Sequence, residues 1–328
     1  MTTKLERLQA AIEGEVADRP PVALWRHFPV DDQDPRLLAD AILSFQATYD
    51  FDFVKVTPAS SFCLLDWGVE DEWLGAPEGT REYTKHVIHE LKDWKSLEIL
   101  DPEAGSLGRQ LQNLTYLQED FGQDTPYIQT IFNPLSQAKN LVGKERLFMH
   151  LHQDPVAVLD AFEIITESTI AFIESARNRG ISGIFYAIQF ASYQNFDRES
   201  YERFGKPFDL KILEAADGLW LNVLHLHGED LIFDIAQKYP VHVVNWHDRE
   251  TSPSLRDGKS RIHGAVCGGL RRWDTMVLGD PESVRREGME ALNSLNGGQG
   301  MILGTGCVVP VLAPHGNLIA ARNVVETI

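Results

Sequence analysis

Positive charge is the scarcest commodity in this chain. Its 328 residues carry 30 Lys and Arg against 48 Asp and Glu, a formal net charge of -18. Nucleic acids and anionic membranes are held by neutralising phosphates with clustered Lys and Arg, so a surface this acidic, with no basic run, excludes a polyanion partner. Cysteine is also sparse. Cys63, Cys267 and Cys307 are odd in number and far apart, which argues against a disulfide framework and leaves at least one thiol for other chemistry. No apolar run approaches the roughly 18–20 residues of a spanning helix, and Met1 to Asp18 is charged and helical in pattern rather than signal-like. A cytosolic protein is expected. Low-complexity tracts, Pro/Gly-rich linkers and repeats are missing too, so residues 1–328 are expected to form one domain.

What is present is an alternation of elements. Short apolar, β-branched or aromatic runs stand at Val22–Arg26, Phe53–Thr57, Tyr127–Phe132, Gly183–Ile188, Trp220–His225, Val241–Trp246, Ile262–Val266 and Gly300–Leu303, eight candidate strands in all. Helix-period segments lie between them. Asp34-Pro35, Asp154-Pro155 and Asp280-Pro281 each read as an N-cap followed by proline in the first turn, and Gly180 and Gly297-Gly298 as stops. Strands alternating with helices imply right-handed βαβ units and a parallel sheet, and this count fits an α/β fold of the closed (β/α)₈ TIM type. Thr57 to Pro126 is too long for one crossover. Residues 58–126 are therefore expected to form an insertion after the second strand, a hairpin over the barrel mouth with Tyr83–His89 as one strand.

In such a barrel the reacting groups stand at the C-terminal ends of strands. Those positions hold Arg26, His27, Thr57, Asn133, Gln189, His225, His227, Trp246, His247, Asp248 and Cys307. In an extended segment residues i and i+2 point the same way, so His225 and His227 would converge on one ion, with Cys307 adding a thiolate from across the mouth. Two imidazoles and one sulfur leave a fourth tetrahedral position open, as catalytic zinc requires. The plainer alternative is a hydrogen-bonding His pair and a small buried Cys. Arg26 would clamp a carboxylate or pair with an acid in the barrel floor, and His247-Asp248 would be an oriented general base or an exposed turn pair. Asn133, Gln189, Tyr186 and Trp246 are expected to line the substrate; Phe185, Phe190 and Tyr193 are aromatic candidates for the same wall or for core. Neither Gly304-Thr305-Gly306 nor Gly268-Gly269 has the context of a phosphate loop, so no nucleotide site is expected.

Four stretches, Arg19–Arg26, Asn133–Gly143, Leu224–Gly228 and Gly304–Leu318, resemble in order and spacing the uroporphyrinogen decarboxylase superfamily. The resemblance implies a distorted (β/α)₈ barrel, a homodimer and one of two chemistries. Porphyrinogen decarboxylases hold an acidic tetrapyrrole with arginines, a central Asp, a Tyr and a His, without metal. Here the first arginine matches Arg26, but the second falls on Val30, the Asp near Pro58–Ser60, the Tyr near Asn140 and the His on Thr305. Corrinoid-linked methyltransferases use zinc on a His-x-Cys pair and a distant Cys. His225 and Cys307 match the outer ligands, and His227 replaces the middle cysteine, which makes the centre more positive by one charge.

The resemblance thus implies a methyltransferase that uses Zn²⁺ and a corrinoid carried by a partner protein, with His247 and Asp248 orienting substrate or moving its proton and Arg26 holding an anionic group. The alternative is a metal-independent lyase that decarboxylates a porphyrinogen or smaller acid through Arg26. A barrel that binds a tetrapyrrole or corrinoid without turnover is the third reading.

Overall fold

The computed structural model describes residues 2–122 and 124–327. Its central sheet is parallel, with β1 (Val54–Val56), β4 (Tyr127–Phe132), β5 (Gly183–Ile188), β6 (Val223–Leu226), β7 (Val243–Trp246), β8 (Ala265–Leu270) and β9 (Met301–Thr305) hydrogen-bonded in that order. The two remaining strands, β2 (Glu70–Glu72) and β3 (Glu82–Lys85), form a separate antiparallel hairpin. The result is a curled parallel α/β sheet with helices on its outer face.

The helix starts lie where the Asp-Pro pairs put them. Asp34, Asp154 and Asp280 cap helices Pro35–Tyr49, Pro155–Arg177 and Pro281–Ser294, each accepting a first-turn backbone N–H. The expected first strand is a correction. Val22–Arg26 makes one isolated parallel bridge, Val22 to Leu303, supported by Ala23 N donating to Leu303 O at 2.9 Å and Leu303 N to Pro21 O at 2.8 Å. On its other side Asp52 N donates to Val22 O at 2.9 Å. Pro20 and Pro21 have no N–H to offer, so a ladder cannot extend upstream of this point. The segment nonetheless runs between β9 and the residues leading into β1.

Side chains of a strand alternate between faces, and here the alternation separates two cores. Ile184, Tyr186 and Ile188 of β5 join the large cluster between sheet and helices, whereas Phe185 and Ala187 join a smaller inner cluster with Trp25, Phe53, Val223 and Cys267. Helix Lys4–Glu13 sends Leu8 and Ala11 into that inner cluster. Arg7 of the same helix pairs with Asp52 at 3.3 Å, and Lys4 donates to Thr125 at 3.4 Å, so it plugs the end where the strands begin. At the other end sits the β2–β3 hairpin. Val311 N donates to Pro77 O at 2.8 Å, and a Cβ at Gly79 would lie 2.6 Å from the Cβ of His27, so only glycine allows that approach. No described helix is long and apolar enough to cross a membrane.

Candidate metal centre and its cavity

Three strand ends deliver four donor side chains to one point. His225 points inward from β6, His227 follows it by two residues, His247 comes directly after β7, and Cys307 stands two residues beyond β9. One donor atom of each lies within 4.8 Å of all the others. The Cys307 sulfur is 3.8 Å from His227 Nδ1, and the imidazole centroids are 5.0 Å (His227–His247), 5.7 Å (His225–His227) and 6.0 Å (His225–His247) apart. Glycine at 306 permits the convergence, because a Cβ there would sit 2.6 Å from the His247 Cα and 2.7 Å from the Trp246 carbonyl.

The far nitrogens of two rings are already committed. Asn245 donates from its amide nitrogen to the carbonyls of Cys267 (2.8 Å) and Thr305 (3.0 Å), so its oxygen is the atom 2.6 Å from His225 Nδ1. That nitrogen must carry the proton, which leaves Nε2 of His225 with its lone pair towards the cluster. His247 Nδ1 donates to Glu250 at 3.0 Å, and its buried Nε2 has no hydrogen-bond partner among the described residues. An outer partner that fixes the tautomer of an imidazole is the usual support of a metal ligand. The electrostatics agree. Burial pushes the Cys307 thiol up, but the surrounding imidazoles, His225 foremost, outweigh it and hold the thiol well below its ordinary range. Burial pushes His247 down, yet Cys307 and Glu250 together raise it to about 9. Burial lowers His225. Three imidazoles and a thiolate are a donor set that suits zinc.

Beside the cluster is a cavity of about 240 Å³. His225, His227 and Cys307 line it, whereas His247 belongs to the cluster but not to the lining. Phe185 stacks on His225, with centroids 5.1 Å apart, and Gln189 lines the wall as expected from its position. Sequence reasoning missed Trp25, Lys55, Tyr83 and Lys139 in this lining. Lys55 had a visible signal, a lone cation inside the apolar run Phe53–Thr57. Burial lowers its ammonium to about 7, and burial with a smaller contribution from Lys144 lowers that of Lys139 to about 8.

Five expected site residues lie elsewhere. The Arg26 guanidinium rests on the rings of Phe28 and Phe45, 5.2 Å from each centroid, outside the cavity lining, and its buried Nε has no hydrogen-bond partner among the described residues. Asn133 caps helix Pro134–Val142, accepting from Ser136 N at 3.0 Å, and donates to Asp209 at 3.1 Å. Tyr186 faces the helix layer and donates to the same carboxylate at 2.7 Å. Trp246 is buried against Phe233 and donates to Pro253 O at 2.8 Å. Asp248 lies beneath the site. Its carboxyl, pushed up to about 7 by burial, accepts from Gly269 N at 3.2 Å, where a Cβ on Gly268 would collide with it at 2.3 Å. Phe190 packs on Phe148 and Phe196, and Tyr193 is half exposed.

Comparison with known proteins adds three findings. The family described as Uroporphyrinogen decarboxylase (URO-D) matches residues 3–328. A curated protein of Methanosarcina acetivorans named methylcobamide:CoM methyltransferase MtbA is 24% identical over 338 residues, covering 96% of this chain and 95% of that one, and the protein of the same name from Methanosarcina mazei is equally similar, 24% over 339 residues. Among solved structures, a methyltransferase from Methanosarcina mazei superposes with a TM-score of 0.87 at 21% identity over 100% of this chain and 99% of that one. A B12-independent methionine synthase from Shewanella sp. W3-18-1 superposes with a TM-score of 0.56 at 12% identity, over 94% of each chain.

Proposed function

The chain belongs to the uroporphyrinogen decarboxylase family, and from that premise we propose that it is a zinc-dependent methyltransferase, moving a methyl group between the heteroatom of a small molecule and a corrinoid carried by a partner protein. We read the sheet, with the Val22 segment between β9 and β1, as a closed (β/α)₈ barrel that residues 58–126 cap. The observation that carries the reading is the convergence of His225, His227, His247 and Cys307 from three strand ends, two of the rings held by outer partners in the tautomer a ligand needs. Zinc held there would supply Lewis acidity towards a thiol or a methylated heteroatom.

The chain's own groups do the rest. His225, His227 and Cys307 present their donor atoms to the cavity, so the substrate heteroatom approaches on that side, while His247 completes the donor set. Asn245 and Glu250 keep His225 and His247 from rotating. Phe185 and Phe132 give the heteroatom an apolar wall that excludes water. The names of the relatives, which refer to methyl transfer from a cobamide, support the same class. Decarboxylation of a tetrapyrrole is disfavoured by size and charge. About 240 Å³ falls below the roughly 300–1,000 Å³ of ordinary small-molecule sites, and Arg26, the one arginine matching that branch, lies outside the lining.

Metal analysis of protein purified without chelator tests the centre: one zinc per chain is expected, lost on Cys307→Ala. Zinc well below stoichiometry and indifferent to Cys307→Ala would overturn it. Demethylation of methylcobalamin by small thiols, followed in the visible spectrum, tests the reaction, and carbon dioxide release that survives a chelator would favour the lyase instead.

A further inference from the structure

The β2–β3 hairpin touches two of the segments that carry the metal centre. Its strands are mostly exposed, but the turn between them reaches inward, and Glu78, Thr80 and Arg81 line the cavity. The carbonyl of Pro77 accepts from Val311 N at 2.8 Å, on the loop that carries Cys307. Glu78 reaches His247 through Arg272, in the loop after β8. Arg272 donates to Glu78 Oε1 at 2.8 Å from one terminal nitrogen and lies 3.4 Å from Glu250 Oε2 with the other, and that same Oε2 accepts from His247 Nδ1 at 3.0 Å. Trp273 Nε1 adds a second donor to Glu78 at 3.2 Å. Four side chains, Glu78, Arg272, Glu250 and His247, thus run in sequence from the hairpin to the donor cluster.

The two bonds of Arg272 are unequal. A charge-assisted N–H···O bond is strongest at roughly 2.7–2.9 Å, which the bond to Glu78 meets and the bond to Glu250 does not. Arg272 is 7% exposed, and its buried Nε has no hydrogen-bond partner among the described residues, so water offers little replacement for a lost carboxylate. Were Glu78 to withdraw, the guanidinium would close on Glu250 and contest the oxygen that His247 uses. His247 would then lose part of the outer partner that fixes its tautomer. With Glu78 seated, the guanidinium is drawn off and Glu250 stays with His247.

We propose that Arg272 is a positioning residue that couples the seat of the hairpin to the grip of His247 on the metal. Glu78 in place holds Arg272 off Glu250, which tightens the centre, and a loaded centre in turn keeps the hairpin down over the cavity. By linkage the two gains are equal: the factor by which a seated hairpin raises metal affinity is the factor by which metal raises the seating constant. The inference rests on the metal centre proposed above and not on the substrate or direction of methyl transfer.

Zinc competition titration with a chromophoric chelator, together with amide hydrogen exchange over residues 73–85, tests this on the full chain. Glu78→Ala should weaken zinc by about 3- to 10-fold, a part of the roughly 10- to 100-fold that an outer partner is worth. Arg272→Met should not weaken it, and adding Arg272→Met to Glu78→Ala should restore the affinity, because without the guanidinium nothing contests Glu250. Zinc should slow exchange in the hairpin by about 3- to 10-fold in the wild-type protein and by less than about 2-fold in either single variant. A merely structural role predicts the reverse, with the double variant binding zinc most weakly. Unchanged zinc affinity in Glu78→Ala, or a double variant weaker than Glu78→Ala, would overturn the coupling and leave the centre standing. Zinc far below one per chain in the wild-type protein would instead sink the centre, and the coupling with it.

Discussion

Asn245 gives the sharpest test of how the centre is held. Replacing it by leucine removes three hydrogen bonds at once and leaves the carbonyls of Cys267 and Thr305 and the Nδ1–H of His225 facing an apolar side chain. Asn245 is fully buried, so water does not simply take its place. Each buried group left unmatched costs about 1–3 kcal/mol, and partial relaxation brings the total to about 3–5 kcal/mol, seen as a lower urea midpoint. Freed of its outer partner, His225 also turns and changes tautomer, which should weaken zinc by about 10- to 100-fold in a competition titration with a chromophoric chelator. Asn245→Asp separates the effects. It keeps an acceptor on His225 Nδ1 but no longer donates to the two carbonyls, so stability should fall while zinc affinity stays within a few-fold. If both variants weaken zinc to the same extent, Asn245 only fills space and the tautomer argument is wrong.

Gly306→Ala should push the Cys307 loop away from His247 by a fraction of an ångström to about 1 Å, since a Cβ at 2.6 Å from a backbone carbon has no flexible neighbour to displace. We expect about 1–3 kcal/mol of destabilisation and a weaker sulfur-to-metal charge-transfer band in the cobalt-substituted protein, with Gly316→Ala, whose Cβ would meet an ordinary 3.6 Å contact, as the neutral control. Lys139→Met should stabilise the protein near neutral pH. An ammonium lowered to about 8 by burial binds fewer protons folded than unfolded between about pH 8 and 10.5, so the wild-type chain gains stability as pH rises through that window. The variant's advantage, up to about 3 kcal/mol at pH 7, should then vanish by about pH 10.5; an advantage independent of pH would locate its origin in packing. Adding zinc to chelator-treated protein should raise the midpoint of thermal unfolding, by an amount that grows with the logarithm of free metal, and Cys307→Ala should remove the increment. An identical increment in Cys307→Ala would place the metal elsewhere.

Much of the fold was legible because its strands are uninterrupted apolar runs. Tyr127–Phe132 and Gly183–Ile188 appear in the structure with the bounds their composition gives them, and three helices start at their Asp-Pro pairs. Val22–Arg26 has the same composition, but it makes one isolated bridge, and the two prolines before it keep a ladder from extending upstream, which an apolar pattern does not weigh. The site was legible where spacing alone decides, in His225 and His227, and in Cys307 after the last strand. It failed where register decides. In the observed pairing His225 stands level with Ala187 on one side and Asn245 on the other. Residues level with each other face the same way, so Phe185 and Ala187 turn to the cavity and Tyr186 away, and Asn245 inward while Trp246 goes out. The sequence identified the right strands and, without a register, the wrong face of two of them. His247 escaped as a fourth donor because a tight turn, Asp248 N to Trp246 O at 2.8 Å, reverses the chain just past β7 and returns its ring to the centre.

Charge ties the two walls of the cavity together. With three imidazoles and one thiolate as donors, a divalent ion held here would keep one more positive charge than it would on two thiolates. Lys55 and Lys139 add two amines that form no ion pair among the described residues and that burial lowers to about 7 and about 8, while the lining's one carboxylate, Glu78, is taken by Arg272. Opposite signs attract most strongly where water is scarce, so such a cavity should prefer ligands that bring negative charge at both ends, one on an oxyanion and one on a sulfur that has given up its proton. A neutral ether would answer neither end. The preference should fade with added salt only weakly, because the charges it depends on are buried. Acid thiols that bind more tightly than their alcohols at low ionic strength, and lose that margin entirely at about 1 M salt, would mean that the attraction acts at the surface and that the wall has no part in it.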